Sequence, residues 1–141
     1  MTMTQVFFYS GSDDKLKTVC RLCAKALQQG MNVVIFSQDE GLIEHVDELL
    51  WTFSAGSFIP HSRMSDDEHL MSMTPIILSN LIPTDDHFDV LLNLDHQPPP
   101  QLDQFGRIIE IAGESEEDKL AARERYRFYR DAGFEIQHIK L

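Results

Sequence analysis

Asn32-Val-Val-Ile-Phe36 decides the fold. Its continuous apolar, β-branched run suits a strand covered on both faces rather than one that alternates towards water. Upstream, Val6-Phe-Phe-Tyr9 is a second apolar run, closed by Ser10-Gly-Ser12, and reads as a buried strand leading into a turn. Asp13 and Asp14 then supply first-turn negative charge, and Leu16, Val19, Cys20, Cys23 and Leu27 recur at helical spacing until Gly30 stops the helix. Downstream, a helix from about Asp39 to Leu50 carries Leu42, Ile43, Val46, Leu49 and Leu50 on one face and acidic residues on the other. A right-handed crossover is expected to set the first two strands side by side.

The remaining chain continues the alternation. Ser62 to Met73 is polar and acidic and reads as a loop or short helix. Pro75-Ile-Ile-Leu78, Val90-Leu-Leu-Asn-Leu94 and Arg107-Ile-Ile-Glu-Ile111 read as strands between turn-rich segments that include Pro83, Asp85-Asp86 and Pro98-Pro-Pro100. A helix over 114–132 starts at Ser115, and Phe134-Glu-Ile-Gln-His-Ile139 follows as a last strand. The expectation is a single α/β domain over residues 1–141: three layers, with a mostly parallel sheet of five to seven strands flanked by helices.

Such a start invites a nucleotide, and the first turn argues against one. A phosphate loop needs G-x-x-x-x-G-K-[ST] and a dinucleotide fold G-x-G-x-x-G, so that backbone amides cradle phosphate. Ser10-Gly-Ser-Asp-Asp-Lys15 has one glycine and two carboxylates where phosphate would sit. The fold is therefore read as nucleotide-binding-like without a phosphate loop.

Charge narrows the partners. The formal net charge is −11, with 6 Lys and Arg against 20 Asp and Glu in residues 1–118, but 6 against 3 in residues 119–141. A field of that sign repels polyanions within a Debye length of roughly 8 Å, which argues against wholesale binding of nucleic acid or anionic membrane. No apolar run approaches the ~20 residues that span a bilayer, and Met1-Thr-Met-Thr4 does not begin a signal peptide. A soluble, cytoplasmic chain is expected.

Catalytic chemistry finds no foothold. Cys20 and Cys23 form a C-x-x-C inside a helical pattern without a second pair, and read as core cysteines. The six histidines (His45, His61, His69, His87, His96, His138) never take H-x-x-x-H or H-E-x-x-H spacing, and no G-x-S-x-G elbow occurs. Neither a metal nor a cofactor is expected, and the chain reads as a non-catalytic binding module.

Two stretches remain for binding. Leu49-Leu-Trp-Thr-Phe-Ser-Ala-Gly-Ser-Phe-Ile-Pro-His61 crowds Trp51, Phe53 and Phe58 after a helix, as a plug for the sheet or as interface anchors. In the last helix, Lys119, Arg123, Tyr126, Arg127 and Arg130 share a stripe about 100° wide, with Ala121, Ala122, Phe128, Tyr129 and Ala132 roughly opposite. The plain alternative is a solvated basic face. Arg125 falls near the buried side and is expected to reach out or pair with a carboxylate.

Leu50-Trp51 with Ser57-Phe-Ile-Pro-His61, and Ala122-Arg-Glu-Arg-Tyr-Arg-Phe-Tyr-Arg-Asp-Ala-Gly-Phe134, resemble the chi subunit family of bacterial DNA polymerase III holoenzyme. The resemblance implies an accessory subunit of the clamp-loader assembly. Its members pair with the psi subunit, bind the acidic, Phe-ending tail of single-stranded-DNA-binding protein, and in some cases contact a helicase. It implies tail binding by Lys119, Arg123 and Tyr126, with Arg127 where a lysine also occurs, and psi binding by Trp51 and Phe58. Physically, cations around a small apolar pocket suit such a tail: Arg123 forks onto the terminal carboxylate while Tyr126 packs the ring. The second hypothesis is a small-molecule or nucleotide-binding α/β protein using the strand ends near Gly11 and Ser37.

Overall fold

The computed structural model describes residues 4–52, 60–63, 74–81, 88–99 and 105–141. Its elements run β1 (Gln5–Ser12), α1 (Lys15–Gln28), β2 (Val33–Phe36), α2 (Glu40–Thr52), β3 (His61–Arg63), β4 (Ile76–Ser79), β5 (Val90–Asn93), β6 (Arg107–Gly113), α3 (Glu116–Asp131) and β7 (Glu135–Lys140). Among the described residues the strands form one seven-stranded sheet in the order β3-β4-β2-β5-β6-β1-β7, and every pairing there is parallel.

β2 is an interior strand, as its composition announced. Val33 pairs with Ile76 on one side and Val90 on the other, and β2, β4 and β5 are buried along their whole length. Alternation divides their side chains between two cores. Val33 and Ile35 face Val19, Cys23, Ile43 and Val46 of α1 and α2, whereas Val34 and Phe36 join Val6, Phe8, Ile108 and the α3 residues Ala122 and Tyr129. Each such buried Val, Ile or Phe contributes about 1.5–3 kcal/mol relative to exposure. Helices thus cover both faces of the sheet, in three layers.

Several boundaries differ from expectation. β1 continues through Ser10, Gly11 and Ser12 instead of turning there, and Asp14 caps α1 from outside it, accepting from the Lys17 amide at 3.2 Å. β1 and β2 are not neighbours: β5 and β6 lie between them. A right-handed crossover fixes handedness and not adjacency, so later strands fill the gap. His61–Arg63 is a strand, although Ser62 and Arg63 read as the start of a loop or short helix. Cys20 and Cys23 are free and buried as expected. Burial, with Asp14 nearby, pushes the Cys20 thiol up to about 11, and burial pushes Cys23 higher, so both stay protonated near neutral pH.

Candidate functional site

α3 begins with Ser115, whose hydroxyl accepts from the Asp118 amide at 3.1 Å, and has Glu116, Glu117 and Asp118 in its first turn. Its buried stripe is Asp118, Ala122, Arg125 and Tyr129, a clean i, i+4, i+7, i+11 series. The expected buried face is rotated by this. Ala121 is half-buried, Ala132 is exposed and Phe128 is 45% exposed, because the stripe centres on Arg125.

Arg125 explains the rotation, since it turns inward onto a buried carboxylate. Its Nε donates to Glu110 Oε1 at 2.8 Å, and its two terminal nitrogens donate to the carbonyls of His96 and Ile111. Glu110 Oε2 accepts from the Tyr129 hydroxyl at 2.5 Å and from Asn93 Nδ2 at 2.9 Å. Burial raises the Glu110 carboxyl above its usual range, opposed by Arg125 and the hydrogen bonds from Tyr129 and Asn93. Burial and the neighbouring Glu110 raise the Tyr129 phenol. A network satisfied at this many atoms fixes the rotation of α3 on the sheet.

That rotation sets a groove between α3 and the sheet. Phe8, Ala112 and Ala122 make an apolar floor with the Tyr126 ring, whose centroid is 5.8 Å from that of Phe8 in an edge arrangement. The guanidinium of Arg125 lies 5.9 Å from the Phe8 ring. Lys119 and Arg123 line the groove from α3, and Ser10, Gly11 and His138 line it from β1 and β7. The volume is about 410 Å³.

The site residues expected from sequence divide accordingly. Lys119, Arg123 and Tyr126 converge on the groove, with the two cations exposed and Tyr126 39% exposed. Arg127 is exposed and is not among the lining residues. Arg130 lies at the helix end, 3.3 Å from Asp131. Phe8, Ser10 and His138 carry no local signal, because only the β1–β7 register, which sets Phe8 beside His138, brings them to α3.

The strand ends near Gly11 and Ser37 look different. Gly11 has φ 80° and the Leu141 backbone lies against it, so that a Cβ would come 3.2 Å from the Leu141 carbonyl oxygen. The Ser37 hydroxyl donates to Asp95 at 2.7 Å, and Asp95 also accepts from the Gln38 amide. A neighbouring cavity is lined by Asp13, Glu114, Glu117 and Asp118, with Lys15 held by Asp118 at 3.2 Å. Carboxylates gathered there oppose an anionic ligand. Among the described residues no group of three or more His, Cys, Asp and Glu is placed to hold a metal ion.

Trp51 ends α2 with 57% of its surface exposed, and its ring meets that of His61 edge-on at 4.7 Å between centroids. His61 lies 3.0 Å from Asp47. Trp51 is therefore on the surface rather than in the sheet's core. Phe53 and Phe58 lie outside the described residues.

Residues 3–137 match the family described as DNA polymerase III chi subunit, HolC. The DNA polymerase III subunit chi of Pseudomonas aeruginosa is 35% identical over 143 residues, which cover 99% of this chain and 98% of that protein. The subunit of the same name from Haemophilus influenzae is 30% identical over 118 residues, 83% of this chain and 81% of that protein. Among solved structures, T4 UvsW is similar in fold, with a TM-score of 0.66 over 99% of this chain and 41% of that one, at 8% identity. No helix among the described residues is long and apolar enough to cross a membrane.

Proposed function

This chain belongs to the DNA polymerase III chi subunit family, and from that premise we propose that it is a non-catalytic adaptor joining the psi subunit to the acidic tail of single-stranded-DNA-binding protein. It acts in the cytoplasm within the clamp-loader assembly, reaches DNA through its partners, and a helicase is a further partner of the psi-facing surface. The observation that carries this reading is the groove, where Lys119 and Arg123 stand over an apolar floor of Phe8, Ala112, Ala122 and the Tyr126 ring. The tail of several carboxylates ending in a phenylalanine asks for that combination. The ring packs on that floor beside Tyr126, the terminal carboxylate meets Arg123 with Arg127 adding positive charge at that end of the helix, and Lys119 faces the preceding aspartates. Exposed ion pairs contribute about 0–1 kcal/mol each, so the contact is micromolar and salt-sensitive.

Psi binding is assigned to the other end of the sheet, where exposed Trp51 offers an aromatic anchor beside β3, and the resemblance adds Phe58 on sequence alone. A pull-down with full-length single-stranded-DNA-binding protein and with a version lacking its C-terminal tail tests the adaptor reading. Capture should require the tail, and equal capture of both forms would refute the reading.

A further inference from the structure

The two walls of the groove are unequal: α3 carries the residues already discussed, while the β7 wall has no assigned part. β7 is an edge strand, with β1 its only partner among the described residues. In register, Phe8 lies beside His138 and Ser10 beside Lys140. His138 lines the groove and shares a 2.7 Å hydrogen bond with the Ser10 hydroxyl. Lys140, two residues on, projects from the same face of the strand and is exposed.

Helix direction says which end of the groove this is. α3 connects two parallel strands, so it runs antiparallel to them. Tyr126 sits over Phe8, and Lys119 is about 10 Å away along the helix. Lys119 therefore stands over the Ser10 end, opposite Lys140. Beyond that end the chain is divided in charge. Towards β6 and α1 lies the cavity of Asp13, Glu114, Glu117 and Asp118, whose Lys15 is already held by Asp118. Towards the sheet edge lies Lys140. An acidic segment leaving the groove is repelled on the first side and attracted on the second.

We propose that β7 is the second wall of the tail groove and that Lys140 receives the aspartates preceding the apolar end of the peptide, which leaves over the sheet edge. This rests on the adaptor reading and adds an orientation and a residue to it. The full chain, its Lys140→Gln and Lys140→Glu variants and Arg123→Ala are titrated by fluorescence anisotropy against two labelled synthetic peptides. Each peptide ends in phenylalanine, one preceded by several aspartates and the other by asparagines. Lys140→Gln should weaken the aspartate peptide about threefold and Lys140→Glu about tenfold, with the asparagine peptide changed by less than about twofold. Binding that is lost in Arg123→Ala but indifferent to Lys140, or weakened equally for both peptides, overturns this inference alone. Failure of the unaltered chain to bind either peptide overturns the adaptor reading and this inference with it.

Discussion

Arg125 donates to Glu110 at 2.8 Å with both side chains closed off from water, and this pair decides which face α3 turns outward. The same guanidinium lies over the Phe8 ring that floors the groove. Core and site are therefore joined through one arginine.

Removing that arginine leaves a carboxylate buried without its cation. Arg125→Met should lower unfolding free energy by about 3–5 kcal/mol in urea titrations. The double variant Arg125→Met with Glu110→Gln should recover part of the loss, since the uncompensated charge is gone. A single variant as stable as the parent would mean that the network does not fix α3.

Much of the fold was legible because its signals are local. Val33–Phe36 and the runs around Ile77 and Leu91 are apolar over lengths suited to strands, and Gly30 stops α1 where expected. Sheet order was not legible, because the separation of β1 and β2 depends on where β5 and β6 insert. β3 was missed because His61-Ser-Arg63 is three residues long and has no apolar pattern. Within the groove, helical spacing set Lys119, Arg123 and Tyr126 in one stripe with Arg127 and Arg130, and only the family resemblance singled them out as binding residues. Phe8 and His138 did not, since their meeting is a matter of register across more than a hundred residues.

Acid should act through Asp118. Its burial opposes ionisation, but the Gly113 amide and Lys15 outweigh that, and the carboxyl titrates below its ordinary 3.8. A lowered folded pKa gives stability that is present above pH 3.8 and lost as pH falls through the folded value. Glu110, raised above 4.5 mainly by burial, works in the opposite sense: as pH rises above 4.5 it reduces stability, so the two windows separate. Urea titrations below about pH 4 should show a shallower acid slope for Asp118→Asn than for the parent. Parallel slopes would mean that Asp118 does not govern the acid response.

Trp51 is the chain's single tryptophan, so its emission reports directly on its surroundings. Psi binding should shift that emission, and Trp51→Ala should weaken psi capture by at least about 2 kcal/mol. Because the ring is 57% exposed, the melting temperature should barely move. A large drop in melting temperature with normal capture would make Trp51 a packing residue.

Ionic strength separates the two parts of tail recognition. Raising salt from about 0.05 M to about 0.5 M should weaken an aspartate-rich peptide several-fold, while its asparagine counterpart changes little. Equal responses would place the binding energy in the apolar floor alone.

In the proposed function α3 and the sheet together read an acidic, phenylalanine-ending tail, and that reading depends most on Arg123. A calorimetric titration of the synthetic tail peptide into the parent and into Arg123→Ala tests it most directly, with circular dichroism and psi capture recorded on the same samples. The parent should bind at micromolar concentration, and the variant should lose nearly all binding with its fold and psi capture unchanged. Superimposable titration curves for the two proteins would contradict that reading.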